Sequence, residues 1–256
     1  HNPVEIAESL ATLDVISGGR LIAGFGLGYN PREFAAFGVA KGTRLRRFLE
    51  CLKLVKRLWT EDTVTHKGEF FTLDEATIGI KPIQSPRPPI IIAASGDKMI
   101  VRSAKLADAL SLAGHSTLEG LARQAKVYRE ALSDVGIEEY PQHYRLMLET
   151  YVAKDMASAR RIAMPHMARK YAGYASMGQD DVLPEGQEFS SDIEELARGR
   201  FVIGDPNYVI DRMSQYRDTL GIRELAVRMH WLGMPHADVL RSIELYGEHV
   251  IPALRG

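Results

Sequence analysis

The chain has 256 residues, 45% of them apolar and 25% charged, which is ordinary for a globular protein and makes one large domain the default. Its 32 basic and 33 acidic residues give a net charge of -1 and are dispersed along the sequence, which argues against nucleic acid as the main partner. A single cysteine, Cys51, excludes an intramolecular disulfide framework and a multi-cysteine metal site. Apolar runs such as Pro89 to Ala94 fall far short of the roughly 20 residues that cross a bilayer, so no membrane span and a soluble, cytoplasmic protein are expected.

Val4 to Leu13 reads as helix, entered through Asn2-Pro3. Gly18-Gly19 supplies a turn, Leu21 to Phe25 a short buried strand, and Gly24, Gly26 and Gly28 remove side chains where that strand ends. Asn30 and Pro31 follow as N-cap and first helical residue, with Glu33 in the first turn at the positive end of the helix dipole. Leu45, Phe48, Leu49, Leu52, Val55 and Trp59 keep helical spacing, so about 42 to 59 forms one long helix that carries Cys51 as a structural thiol. Thr63 to Leu73 reads as a hairpin around Lys67-Gly68, and Pro82, Pro86, Pro88 and Pro89 make a stiff, non-helical approach to a strand over Ile90 to Ala94.

From there strand and helix alternate. Helix from Asp97 to Leu106, strand from Ala109 to Leu112, helix from Leu118 to Val135, strand from Leu146 to Val152 and helix from Met156 to Tyr174 come in turn. After a polar segment at 173–200, expected to be an insertion or lid, Asp205 and Pro206 cap a new helix; strand Leu225 to Trp231 and helix Ala237 to Leu245 close the series. Counting the opening strand, about five βα units are expected, and such alternation means an α/β fold with a parallel sheet under helices.

Three places carry candidate chemistry. Gly24-Phe-Gly-Leu-Gly28 lacks the glycine spacing of a dinucleotide fingerprint, which leaves either a glycine floor for a flat ligand or tight strand-to-helix packing. Ser95-Gly96-Asp97, between a strand and a helix, can hold a phosphate through backbone N–H groups and the Ser95 hydroxyl, or serve as an ordinary N-cap; Asp97 suits an anion there only if its charge points away. On the last strand Ala226, Arg228 and His230 share one face. If that face looks into a barrel mouth, Arg228 can bind an anionic group and His230 can shuttle a proton; if it looks toward helices, both are structural. Tyr29, His115 and Trp231 are weaker candidates for lining the same mouth. The remaining histidines show no metal-ligand spacing, and no serine nucleophile elbow is visible.

Taken in order, Ala11-Thr-Leu-Asp-Val-Ile-Ser-Gly-Gly-Arg20, Glu33-Phe-Ala-Ala-Phe-Gly38, Pro88-Pro-Ile-Ile-Ile-Ala-Ala-Ser-Gly96 and Arg228-Met-His-Trp-Leu-Gly-Met-Pro235 resemble the luciferase-like flavin-dependent monooxygenases, the family of bacterial luciferase and alkanesulfonate monooxygenase. The resemblance implies an eight-stranded (β/α) TIM-type barrel with a flavin at the C-terminal ends of its strands. Against that fold the chain resembles strands four to eight, so the expectation is a barrel domain over 1–256 lacking its N-terminal strands. The implied activity is an FMN-dependent monooxygenase acting on a small organic substrate with O2 and reduced flavin from a separate reductase. Its cofactor contacts would come from Gly26, Gly28, Tyr29, Ala94, Ser95, Gly96 and Gly114, and its catalytic groups would be His230 and Arg228. Many relatives are dimers, which makes a homodimer possible. Gly26 and Leu27 stand where bacterial luciferase has a cysteine and an arginine, which argues against aldehyde-dependent light emission. Two alternatives stay open: hydride transfer with the deazaflavin F420, whose users have a similar Ala-Ala-Ser-Gly turn, and a non-catalytic flavin-binding barrel or partner subunit.

Overall fold

The computed structural model describes residues 1–138, 144–177, 189 and 192–255. The chain divides into two compact units, His1–Ile92 and Ala93–Gly256.

The first unit opens with α1 (Pro3–Ile16), whose first turn is capped by Asn2: its side-chain oxygen accepts the Val4 N–H at 2.9 Å. β1 (Ala23–Phe25), α2 (Pro31–Ala36) and, after a single 3-10 turn, α3 (Arg44–Thr60) follow. The hairpin is β2 (Val64–Lys67) against β3 (Thr72–Ala76), and β4 (Ile90–Ala93) lies parallel to β1 with Ala23 opposite Ile90 and Phe25 opposite Ile92. The apolar face of α3 buries Leu52, Leu54, Val55 and Leu58, and the Trp59 indole N–H donates to the Ala7 carbonyl of α1 at 3.0 Å. Two carboxylates, Asp14 buried and Glu50 partly buried, tie the irregular segments down. Asp14 accepts the backbone N–H groups of Ile83 and Gln84 at 2.9 and 3.0 Å, and Glu50 accepts those of Phe70 and Phe71, both at 3.1 Å.

The second unit continues with α4 (Asp97–Leu106), β5 (Ala109–Ala113), α5 (Leu118–Asp134), β6 (Tyr144–Val152), α6 (Met156–Ser176), α7 (Ile193–Ala197), β7 (Val202–Gly204), α8 (Pro206–Leu220), β8 (Leu225–Arg228) and α9 (His236–Leu245). β6 is the central strand and every pairing is parallel: Leu110 to Ala113 of β5 against Tyr144 to Met147, Leu225 to Arg228 of β8 against Leu146 to Glu149, and β7 against Thr150 to Val152. One face of this sheet, with Leu110, Leu112, Leu146 and Leu148, is fully buried; the other, with Ser111, Met147 and Ala226, is open, Met147 being 38% exposed.

The α/β alternation is therefore as expected, with three differences. β7 was not foreseen; its three residues are too few to show a period, and burial of Val202 and Ile203 rather than alternation fixes it. β8 stops at Arg228 and not at Trp231, because β6 beyond Glu149 is engaged by β7. Of the segment 173–200, residues 173–176 end α6 and 193–197 form α7, while 178–188 and 190–191 lie outside the described residues. Among the described residues no helix is long and apolar enough to cross a membrane.

Candidate cofactor and substrate sites

At the end of β4 the Ala94 N–H donates to the Ser111 carbonyl at 3.3 Å, and the chain then turns through Ser95 into α4. Gly96 is the N-cap, in extended conformation, and no side chain caps the first amides of the helix. A methyl group added at Gly96 would meet nothing within 4 Å, so the helix start is open to approach. The turn is held from below, where Gln124 Nε2 donates to the Ser95 carbonyl at 2.8 Å. Asp97 is paired with Arg123 through two hydrogen bonds of 2.8 and 2.9 Å, and that guanidinium holds its carboxyl below the usual range. The negative charge beside the amides is thus balanced. An uncapped helix start, a hydroxyl and a neutralised neighbour fit a phosphate group.

Gly114 is accounted for differently. Its N–H donates to the Met147 carbonyl at 3.0 Å, and a side chain there would strike that carbonyl, so the missing Cβ is required by the approach of β5 to β6.

Within the first unit a cavity of about 650 Å³ is lined by Gly24, Gly26, Gly28, Phe34, Cys51 and Phe71 among others. Gly26 faces open space, whereas Gly28 has a φ of +72° and a Cβ there would sit 3.2 Å from Phe34, so turn geometry and packing both require it. Tyr29 is 40% exposed and stands outside the lining. Burial pushes the Cys51 thiol up, which keeps it protonated at neutral pH.

The second unit has its own cavity of about 390 Å³, at the C-terminal end of β8 against α6. Arg228 is the register partner of Glu149 and so lies beside it on the same face of the sheet. His230 reaches the same cavity from the turn beyond β8, with Trp231. The sequence reading missed the groups beneath them. Glu149, 4% exposed, forms a short ion pair with Lys170 and accepts the Trp231 indole N–H at 2.5 Å, with Arg228 Nη1 3.9 Å from the same carboxylate. The only signal for it was an acid inside the otherwise apolar run Leu146 to Val152. Burial lowers the Lys170 ammonium, and the Glu149 carboxylate pulls it back up in part.

His115 does not line this cavity. It packs edge-on to Tyr171, Tyr174 and Phe189, with its Nδ1 3.1 Å from the Tyr171 hydroxyl. Burial, helped by the nearby Lys170 charge, lowers it to about 4, so the ring is neutral at pH 7, and burial holds the Tyr171 phenol well above its ordinary value. Neither group changes charge near neutrality.

A family model described as luciferase-like monooxygenase matches residues 1–223, and the chain belongs to that family. The fold is accordingly the α/β architecture of its barrels, of which the chain represents a part. It is 30% identical to an F420-dependent glucose-6-phosphate dehydrogenase of Nakamurella multipartita, covering all of this chain and 74% of that protein. It is 25% identical to an FMNH2-dependent dimethylsulfone monooxygenase of Pseudomonas putida, covering 99% of this chain and 71% of that one. The crystal structure of monooxygenase RslO1 from Streptomyces bottropensis superposes with a TM-score of 0.86 at 25% identity, over 99% of this chain and 75% of the other. The family is one of oxidoreductases, and its members near this chain include users of both FMN and F420.

Proposed function

We propose that the chain is the catalytic barrel region of an FMN-dependent monooxygenase that uses O2 and reduced flavin from a separate reductase on a small organic substrate. The observation that carries this reading is the open start of α4 at Ser95-Gly96, uncapped by any side chain and flanked by an Asp97 already neutralised by Arg123. When bound, the flavin supplies the activation of O2. The chain does the rest. Ser95 and the first amides of α4 bind the phosphate. Arg228 orients the substrate, Trp231 and Tyr174 exclude water from one wall of the cavity, and His230, exposed at its rim, carries a proton between substrate and solvent.

The 30% identity to an F420-dependent dehydrogenase favours a second reading, hydride transfer with F420 in the same phosphate site. Anaerobic titration with reduced FMN and with reduced F420, followed by admission of air, separates the two. Retention of reduced FMN on the protein, with its oxidation in air slower than that of free reduced FMN, is the expected result. Retention of F420 with no O2 uptake replaces it by the second reading, and retention of neither removes both.

A further inference from the structure

We propose that the cavity between α6 and the end of β8 is a binding site for an organic anion, taking a carboxylate, sulfonate or phosphate monoester group on an apolar body. That this anion is the substrate rests on the function proposed above; that the cavity binds it does not.

Charge and burial carry the inference. Three cations line the cavity, Arg169, Lys170 and Arg228, and the one carboxylate described in contact with any of them is Glu149, which pairs with Lys170 and lies near Arg228. Glu149 is already committed, since one of its oxygens holds Lys170 and the other the Trp231 indole. Arg228, at 3.9 Å, is too far for a hydrogen bond to it, and its side chain remains 40% exposed on the cavity wall. Its fork of N–H donors matches the paired oxygens of an anionic group. Arg169 is exposed on the same wall and has no acidic partner among the described residues. Gly233, at a φ of +82°, leaves the space it needs: a Cβ there would lie 2.9 Å from Arg169 Nη1. The rest of the lining is largely apolar, with Trp231, Tyr174, Met177 and Leu232, the last 80% exposed, and the Lys170 ammonium lies 5.3 Å from the Tyr174 ring centroid. A leucine so exposed beside an arginine pair suits a ligand with a charged head and a hydrocarbon body better than it suits water.

The test uses the protein without cofactor at low ionic strength, with calorimetric titration of hexane-1-sulfonate and of hexan-1-ol. Saturable binding of the sulfonate alone is expected, weakened about tenfold by Arg228→Met and less by Arg228→Lys, with an unchanged far-ultraviolet spectrum. Arg169→Gln, at an exposed position, gives a second variant expected to weaken binding without touching the fold. Equal binding of sulfonate and alcohol, or sulfonate affinity unmoved by both Arg228→Met and Arg169→Gln, overturns the proposal. Displacement of the sulfonate by FMN and not by riboflavin would show that the cavity takes the cofactor phosphate, and would overturn the substrate assignment. Sulfonate binding in a protein that retains neither FMN nor F420 would leave this site standing while the proposed function falls.

Discussion

Asp14 has no exposed surface, yet its carboxyl sits below the ordinary value of 3.8: burial pushes it up, and hydrogen bonds from the Gln84 amide, the Gln84 side chain and the Ile83 amide more than reverse that. Because the native value is the lower one, the stability this group contributes is complete above 3.8 and is lost as pH falls through the native value. Asp14→Asn puts a donor where the buried donors of residues 83 and 84 converge, and is expected to destabilise by about 2 kcal/mol near neutrality. Urea unfolding of both proteins from pH 7 downward checks this. The gap between them should shrink only below 3.8, and a gap that is constant with pH would show that the carboxylate charge is not what holds the proline-rich segment.

At the scale of elements, Glu50 is a main tie between α3 and the hairpin of β2 and β3, beside Arg46, Arg47 and Arg57. Glu50 accepts from the Phe70 and Phe71 amides and lies 3.0 Å from His66 Nε2, while Gly68 has no side chain because any Cβ would overlap that carboxylate. Glu50→Gln is expected to destabilise by about 1 to 3 kcal/mol and to speed hydrogen exchange of the amides at 64–76 while leaving those of β6 unchanged. Unchanged exchange at Phe70 and Phe71 would contradict it. Elements with strong punctuation were legible in the sequence: α2 starts at Pro31 behind its Asn30 cap, α8 at Pro206 behind Asp205, and α4 spans Asp97–Leu106 as read. What was not legible depends on pairing between distant strands. The length of β8 is set by how β6 divides its edge between β7 and β8, a fact no local pattern in Leu225 to Trp231 contains. The site divides the same way. Arg228 and His230 could be picked out from one strand, whereas Glu149, Lys170 and Trp231 meet only after β6, α6 and the turn beyond β8 are assembled, 21 and 82 residues from Glu149.

For the whole molecule, membership in the luciferase-like family places the chain among oxidoreductases and leaves the cofactor to be measured. The second unit supplies two separate anion-friendly places, the uncapped start of α4 and the cation-lined cavity at β8, and the account assigns the first to the flavin phosphate and the second to the substrate. The central claim is the first assignment. It is tested most directly by comparing the affinity of the protein for FMN with that for riboflavin, which differs only in lacking the phosphate. Charge-assisted hydrogen bonds at the helix start predict FMN binding tighter by about 10- to 100-fold, an advantage that Gly96→Val should remove by filling the open approach. Equal affinity for the two, or an FMN advantage untouched by Gly96→Val, would contradict it.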